Sequence, residues 1–190
     1  MSMASKVLSC DKCEDSTNTF ILHQNLRYSF KNTDVQISKG LGYCHDCESL
    51  RVIEDFDNFA HHIKQIHECS RLAIKKARRF LWVNFSPKMM KWNASPAQEL
   101  TSHAYFLAIA LKRKGDERCL SCLSSNITKF NGDMNLHYGM AGCYEGRKRT
   151  GFYHPGCGGE YIVSGSEIRF ILSREPSYFN IDDDWQITEV

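Results

Sequence analysis

Nine cysteines and eight histidines in 190 residues are the side chains best equipped to do chemistry in this chain. Their spacing is regular. Two residues separate Cys10 from Cys13, Cys44 from Cys47, Cys119 from Cys122, and His154 from Cys157. Thirty residues lie between Cys13 and Cys44, and 31 between Cys122 and His154. An x2 turn lets two soft donors converge on one ion, and two such knuckles complete a tetrahedral set. Zinc accepts that set as four thiolates or as three thiolates and one imidazole. A redox C-x-x-C pair of thioredoxin type needs a strand-helix-strand context, which neither half offers.

The spacing is also an internal repeat. Phe20 follows Cys13 by seven residues and Phe130 follows Cys122 by eight, while Tyr43 and Tyr153 directly precede Cys44 and His154. Two zinc ions per chain are expected, with ligands paired inside each repeat. Cys10, Cys13, Cys44 and Cys47 then form one site, and Cys119, Cys122, His154 and Cys157 the other. Pairing between the halves would close longer loops, although closure entropy penalises that only mildly. Cys143 is an alternative to His154, which is preferred for its x2 spacing. Cys69 reads as a small core residue. His61, His62 and His67 lack the H-E-x-x-H pattern of zinc hydrolases and read as solvated or capping groups.

Elements must bring the knuckles together. Phe20–Leu22 with Leu26–Phe30 reads as a hairpin in the first repeat, and Glu160–Val163 with Glu167–Leu172 as one in the second. Between them, apolar residues at Phe56, Phe59, Ile63, Ile66, Ala73, Ala77 and Phe80 keep a helical period. A second helix is expected from Ser95 as N-cap and Pro96 at its first position to about Lys114, stopped by Gly115. The knuckles and short strands resemble the zinc-ribbon superfamily, as a tandem duplicate covering about residues 8–55 and 117–173. The resemblance implies a fold and a metal rather than one activity. The expected architecture is α+β: two zinc-ribbon β-units with a two-helix insertion. Its segments are ribbon 1 (1–55), a basic helical segment (56–115), ribbon 2 (116–173) and an acidic tail (174–190).

A net charge of +2 excludes a histone-like tail and a supercharged surface. The layout is uneven: −2 over 1–55, +8 over 56–115, 0 over 116–173 and −4 over 174–190. Lys75, Lys76, Arg78 and Arg79, with Arg147, Lys148 and Arg149 in a loop, are candidate contacts for DNA, RNA or an acidic protein patch. The aromatic and lysine-bearing stretch Phe80–Trp92 could stack bases. Asp182, Asp183 and Asp184 could dock on the basic segment or on a partner. No phosphate-binding loop, nucleophile elbow or dinucleotide fingerprint is present, so an enzyme and a small-molecule substrate are not expected. The N-terminus has no secretory apolar core and no run reaches a membrane span. An intracellular protein, cytoplasmic or nuclear, is expected. Its function is read as a non-enzymatic zinc-binding module associated with nucleic acid, or alternatively a protein-interaction adaptor or subunit.

Overall fold

The structure, a computed structural model, describes residues 2–57, 59–80, 87–171 and 175–189; side chains are described for these except 2, 73, 76–80, 87–97, 171 and 189. The chain is mixed α/β, with two helices and several small sheets. In chain order the first elements are β1 (Ser2–Cys10), β2 (Ser16–Asn18), β3 (Leu26–Phe30), β4 (Thr33–Gln36), β5 (Lys39–Cys44) and β6 (Ser49–Glu54). Helices α1 (Phe59–Phe80) and α2 (Pro87–Arg113) follow. Then come β7 (Ile127–Lys129), β8 (His137–Tyr138), β9 (Tyr144–Glu145), β10 (Arg147–Tyr153), β11 (Glu160–Ile171), β12 (Ser177–Ile181) and β13 (Ile187–Glu189). Neither helix is long and apolar enough to cross a membrane.

The chain divides into two compact units, each assembled from separated segments. The first contains 1–25, 39–55 and 116–177. Its sheets have strand orders β10-β11-β1-β2 and β6-β5-β7, with a β8-β9 hairpin. Leu8, Leu41, Tyr43, Leu50, Phe152, Tyr161 and Val163 form its apolar centre. The second contains 26–38, 56–115 and 178–190. There α1 packs on α2, and α2 on β4, beside a sheet ordered β13-β12-β3-β4. Phe56, Phe106, Ile109 and Ala110 are buried in it, while Leu111 stays 73% exposed.

Several elements differ from the sequence expectation for identifiable reasons. Phe20–Leu22 lies in a 3₁₀ turn (Thr19–His23) that Asn18 caps by accepting from the Phe20 N–H. Leu26–Phe30 instead pairs with β4 across Lys31 and Asn32, both at positive φ; a two-residue hairpin loop of the primed type requires that backbone. The second expected hairpin is one continuous strand, β11, because β1 pairs along it from Ser2↔Ile171 to Cys10↔Tyr161. An irregularity in that register falls between Ala4 and Lys6, opposite Gly165. At Gly165 a Cβ would collide with the Tyr144 carbonyl oxygen. The expected apolar face of Ile168 does not form: Ile168 is 69% exposed, and Glu167 and Arg169 beside it are exposed too. Helix α2 begins at Pro87, one proline earlier than expected, since Lys88–Trp92 are adequate helix formers and Pro87 itself suits the first position. It ends where Gly115 turns to φ +94°. Residues 81–86 of the aromatic stretch lie outside the described residues.

The acidic tail is structural. Asp182 to Trp185 make the turn of the β12-β13 hairpin, with Asp182 Oδ1 accepting from Gln186 N–H at 2.8 Å. The Trp185 ring sits 5.1 Å from that of Phe30, and Tyr178 donates its hydroxyl to Asp34 at 3.0 Å. Apolar packing and strand pairing hold this segment in the helical unit.

Candidate metal centres

All eight knuckle ligands cluster, but in exchanged pairs. Cys10, Cys13, His154 and Cys157 form one group, and Cys44, Cys47, Cys119 and Cys122 the other. Within each group the donor atoms all lie within 4.8 Å of one another. Each centre thus takes the first knuckle of one repeat and the second knuckle of the other. Pairing inside each repeat does not occur. The strands explain why: β1 pairs with β11 and β5 with β7, so each first knuckle is carried to the other repeat's second knuckle. Closing 13 to 154 rather than 13 to 44 lengthens the loop by a little over two doublings, about 1.3 kcal/mol. Burying Leu8, Tyr161 and Val163 in the β1-β11 pair, each fully, is worth about 1.5–3 kcal/mol per side chain. Packing outweighs the closure cost.

The repeat itself is visible in the local hydrogen bonds. Cys10 N–H donates to Asp15 O at 2.9 Å, and Cys119 N–H to Ser124 O at 2.9 Å. Lys12 N–H points at Cys10 Sγ at 3.5 Å, and Ser121 N–H at Cys119 Sγ at 3.4 Å. Both first knuckles share these two contacts, and both lead into a short strand, β2 or β7. The second knuckles sit in hairpins: Cys44–Cys47 between β5 and β6, and His154–Cys157 between β10 and β11.

In the mixed centre Cys10 Sγ is 3.4 Å and Cys13 Sγ 3.5 Å from Cys157 Sγ. His154 presents Nδ1, at 3.3 Å from Cys13 Sγ and 2.9 Å from Cys157 Sγ. In the sulfur centre Cys44 and Cys122 are 3.5 Å apart. Sulfurs about 2.3 Å from one tetrahedral zinc lie about 3.8 Å apart, so both donor sets are of the right size. Cys143 lies in neither group; its thiol faces Ala141 O at 3.9 Å, which leaves His154 as the fourth donor. The imidazole is held between Tyr43 and Tyr161, ring centres at 4.9 and 5.4 Å. Tyr43 precedes a ligand of the sulfur centre yet packs on a ligand of the mixed one.

Without a cation two thiols of the sulfur centre resist ionisation. Burial pushes the Cys119 thiol up to about 11. Burial, then the thiols of Cys122 and Cys44, push Cys47 up as well. A divalent ion supplies the charge that lets such thiols ionise, and its binding displaces their protons.

Gly159 marks how tightly the mixed centre is built. A Cβ there would stand 2.5 Å from Cys10 Sγ and 2.9 Å from Asp11 Oδ1. Gly159→Ala is expected to introduce about 1–3 kcal/mol of crowding, lowering metal affinity at this centre roughly 5- to 150-fold. Competition with a chromophoric chelator measures it, and the sulfur centre serves as the internal control.

The cationic candidates separate. Arg147, Lys148 and Arg149 lie on strand β10 rather than in a loop. Lys148 pairs with Asp133. Arg149 bridges Glu160 at 2.6 Å and Asp11 at 3.4 Å, and this guanidinium, with the Gly151 N–H, holds the Glu160 carboxyl below its usual range. Lys75 is exposed on α1; the side chains of Lys76, Arg78 and Arg79 lie outside those described. The histidines hold a pair that sequence reasoning missed: His62 is buried against His103. An i, i+7 relation between His62 and Cys69 was the available signal, since both sit on the α2-facing side, Cys69 near Glu99 at 3.6 Å. Set against known families, curated proteins and solved structures, the chain matches none.

Proposed function

We propose that this protein is a non-enzymatic zinc-binding module, with two structural Zn²⁺ ions and with nucleic acid as the partner of its basic helix α1. The closed donor sets carry the first half: four protein ligands per centre leave no coordination position for a substrate. Thiolate-rich sites select zinc among common divalent ions when they are tetrahedral. An intracellular compartment, reducing enough to keep thiolates available, belongs to the same reading.

Charge supports the choice of partner. Lys64, Arg71 and Lys75 recur at steps of seven and four, fall on one stripe of α1 and are exposed. No ion pair among the described residues engages them, whereas Lys148 and Arg149 are committed to carboxylates. Phosphate contacts release counterions, so affinity for duplex DNA should fall with log[salt] at a slope of about −0.9 per phosphate contacted. Fluorescence anisotropy with a short DNA duplex and an RNA strand, from low to physiological salt, checks this. Arg71→Glu with Lys75→Glu is expected to flatten the slope by about two contacts.

A second reading, an adaptor for a protein partner, draws on apolar residues of the helices. Ile63, Leu72 and Ile74 on α1 are 46%, 44% and 56% exposed. Salt-independent capture of a protein, with no nucleic-acid binding at low salt, would favour it.

A further inference from the structure

Neither metal centre uses His62 and His103, which join α1 to α2. His62 is 8% exposed, and its Nδ1 lies 3.1 Å from Nδ1 of His103. Two imidazole nitrogens at that distance form a hydrogen bond when one ring donates and the other accepts. Phe106 stacks on His62 at 3.8 Å and itself lies 6.2 Å from Phe56, so the bond sits against an apolar wall.

Such a bond depends on protonation. One added proton leaves it in place, on the outer nitrogen of the donating ring, but burial opposes the charge. A second proton turns both facing nitrogens into donors and destroys the bond. The groups around the pair do little to offset this. His61 lies beside His62 on α1, and Cys69 lies two turns further along, near Glu99 of α2. Arg27 and Asp34, from β3 and β4, line a polar cleft together with Glu99 and His103. Glu99 favours a charged His103, whereas burial and His61 oppose it and prevail. Burial, then His103 and His61, hold His62 down to about 4.

We propose that the His62–His103 pair is an acid-sensitive latch: when neutral it ties the basic helix α1 to α2, and its protonation lets the two helices part. The latch belongs to the helical unit alone and depends neither on a metal nor on a partner of α1. Its direction follows from linkage. An unfolded histidine titrates near pH 6.5, so a ring held below that value takes up a proton more readily once the helices separate. The latch is therefore whole above about pH 6.5. It weakens as pH falls below that value and is spent near pH 4, where His62 itself titrates. Each ring titrating across this window lowers the closed-to-open ratio by up to about tenfold per pH unit.

The test follows the full chain as purified from neutral to mildly acid pH. Far-ultraviolet circular dichroism and amide exchange report α1 and α2, a chromophoric chelator reports metal release, and ring-carbon NMR shifts report the two imidazoles. Both rings are expected to stay neutral while the helices hold, and helix loss to begin below about pH 6.5. In His103→Gln the amide oxygen can accept from a charged His62. This variant should move the helix transition down by about half a pH unit or more, with metal release unchanged. Helices that persist to pH 4, a helix transition at the same pH in His103→Gln, or a His62 ring titrating near its ordinary value inside intact helices would each overturn the proposal. Should His103→Gln not fold, the ring titrations of the wild-type chain decide.

Discussion

A strong chelator is expected to unfold the unit formed by residues 1–25, 39–55 and 116–177. Its strands β2, β7, β8 and β9 have only two or three residues each, and a small apolar centre surrounds the knuckles. Structural zinc contributes apparent binding free energies of about 10–16 kcal/mol in finger peptides. Whole domains are stable by only about 5–15 kcal/mol. Removal of both ions at once therefore exceeds the whole margin. The near-ultraviolet circular dichroism of buried Tyr43 and Tyr161 should collapse on chelation and return when zinc is restored. A chelated protein that keeps this signal and a cooperative melt would show that the clusters are buried thiols held by packing alone.

The exchanged pairing makes a second, sharper prediction. Cys13→Ser with Cys157→Ser damages only the mixed centre, so the double variant should retain one zinc per chain, in the sulfur centre. Cys13→Ser with Cys47→Ser damages both centres and should retain none. Pairing inside each repeat would reverse the two results. Native mass spectrometry, or cobalt substitution read through thiolate charge-transfer absorbance, counts the bound ions. The comparison is robust because both variants lose two cysteines.

Much of the chemistry was legible before any fold was known. The eight donors of the two clusters are those the x2 spacing singled out, because the knuckle is a local device. Its backbone N–H to sulfur contacts, at Lys12 and Ser121, span only two residues. The two helices were legible from their periodicity, and the end of α2 from Gly115. The strand pairings were less legible. Glu160–Ile171 looks like two strands around Ser164–Ser166, yet β1 pairs along both halves. Leu26–Phe30 pairs with β4 rather than Phe20–Leu22 because Lys31 and Asn32, the latter a residue tolerant of positive φ, make a tight turn there. Asp182–Asp184 reads as an acidic patch free to dock on the basic segment or a partner, while Trp185, against Phe30, and buried Ile187 are the residues that anchor it.

The sequence by itself determined which side chains can hold metal, how many centres they can make, and where charge accumulates along the chain. Only the tertiary structure decided who pairs with whom. Two x2 knuckles are chemically interchangeable, so ligand chemistry cannot choose between partners, and loop closure differs by only about 1.3 kcal/mol. The choice falls to the burial of Leu8, Tyr161 and Val163 between β1 and β11, residues about 150 positions apart in the chain. The same holds for the cations. Arg149 looks free in the sequence, and is matched to Glu160 and Asp11 only once β10, β11 and the first knuckle are brought together.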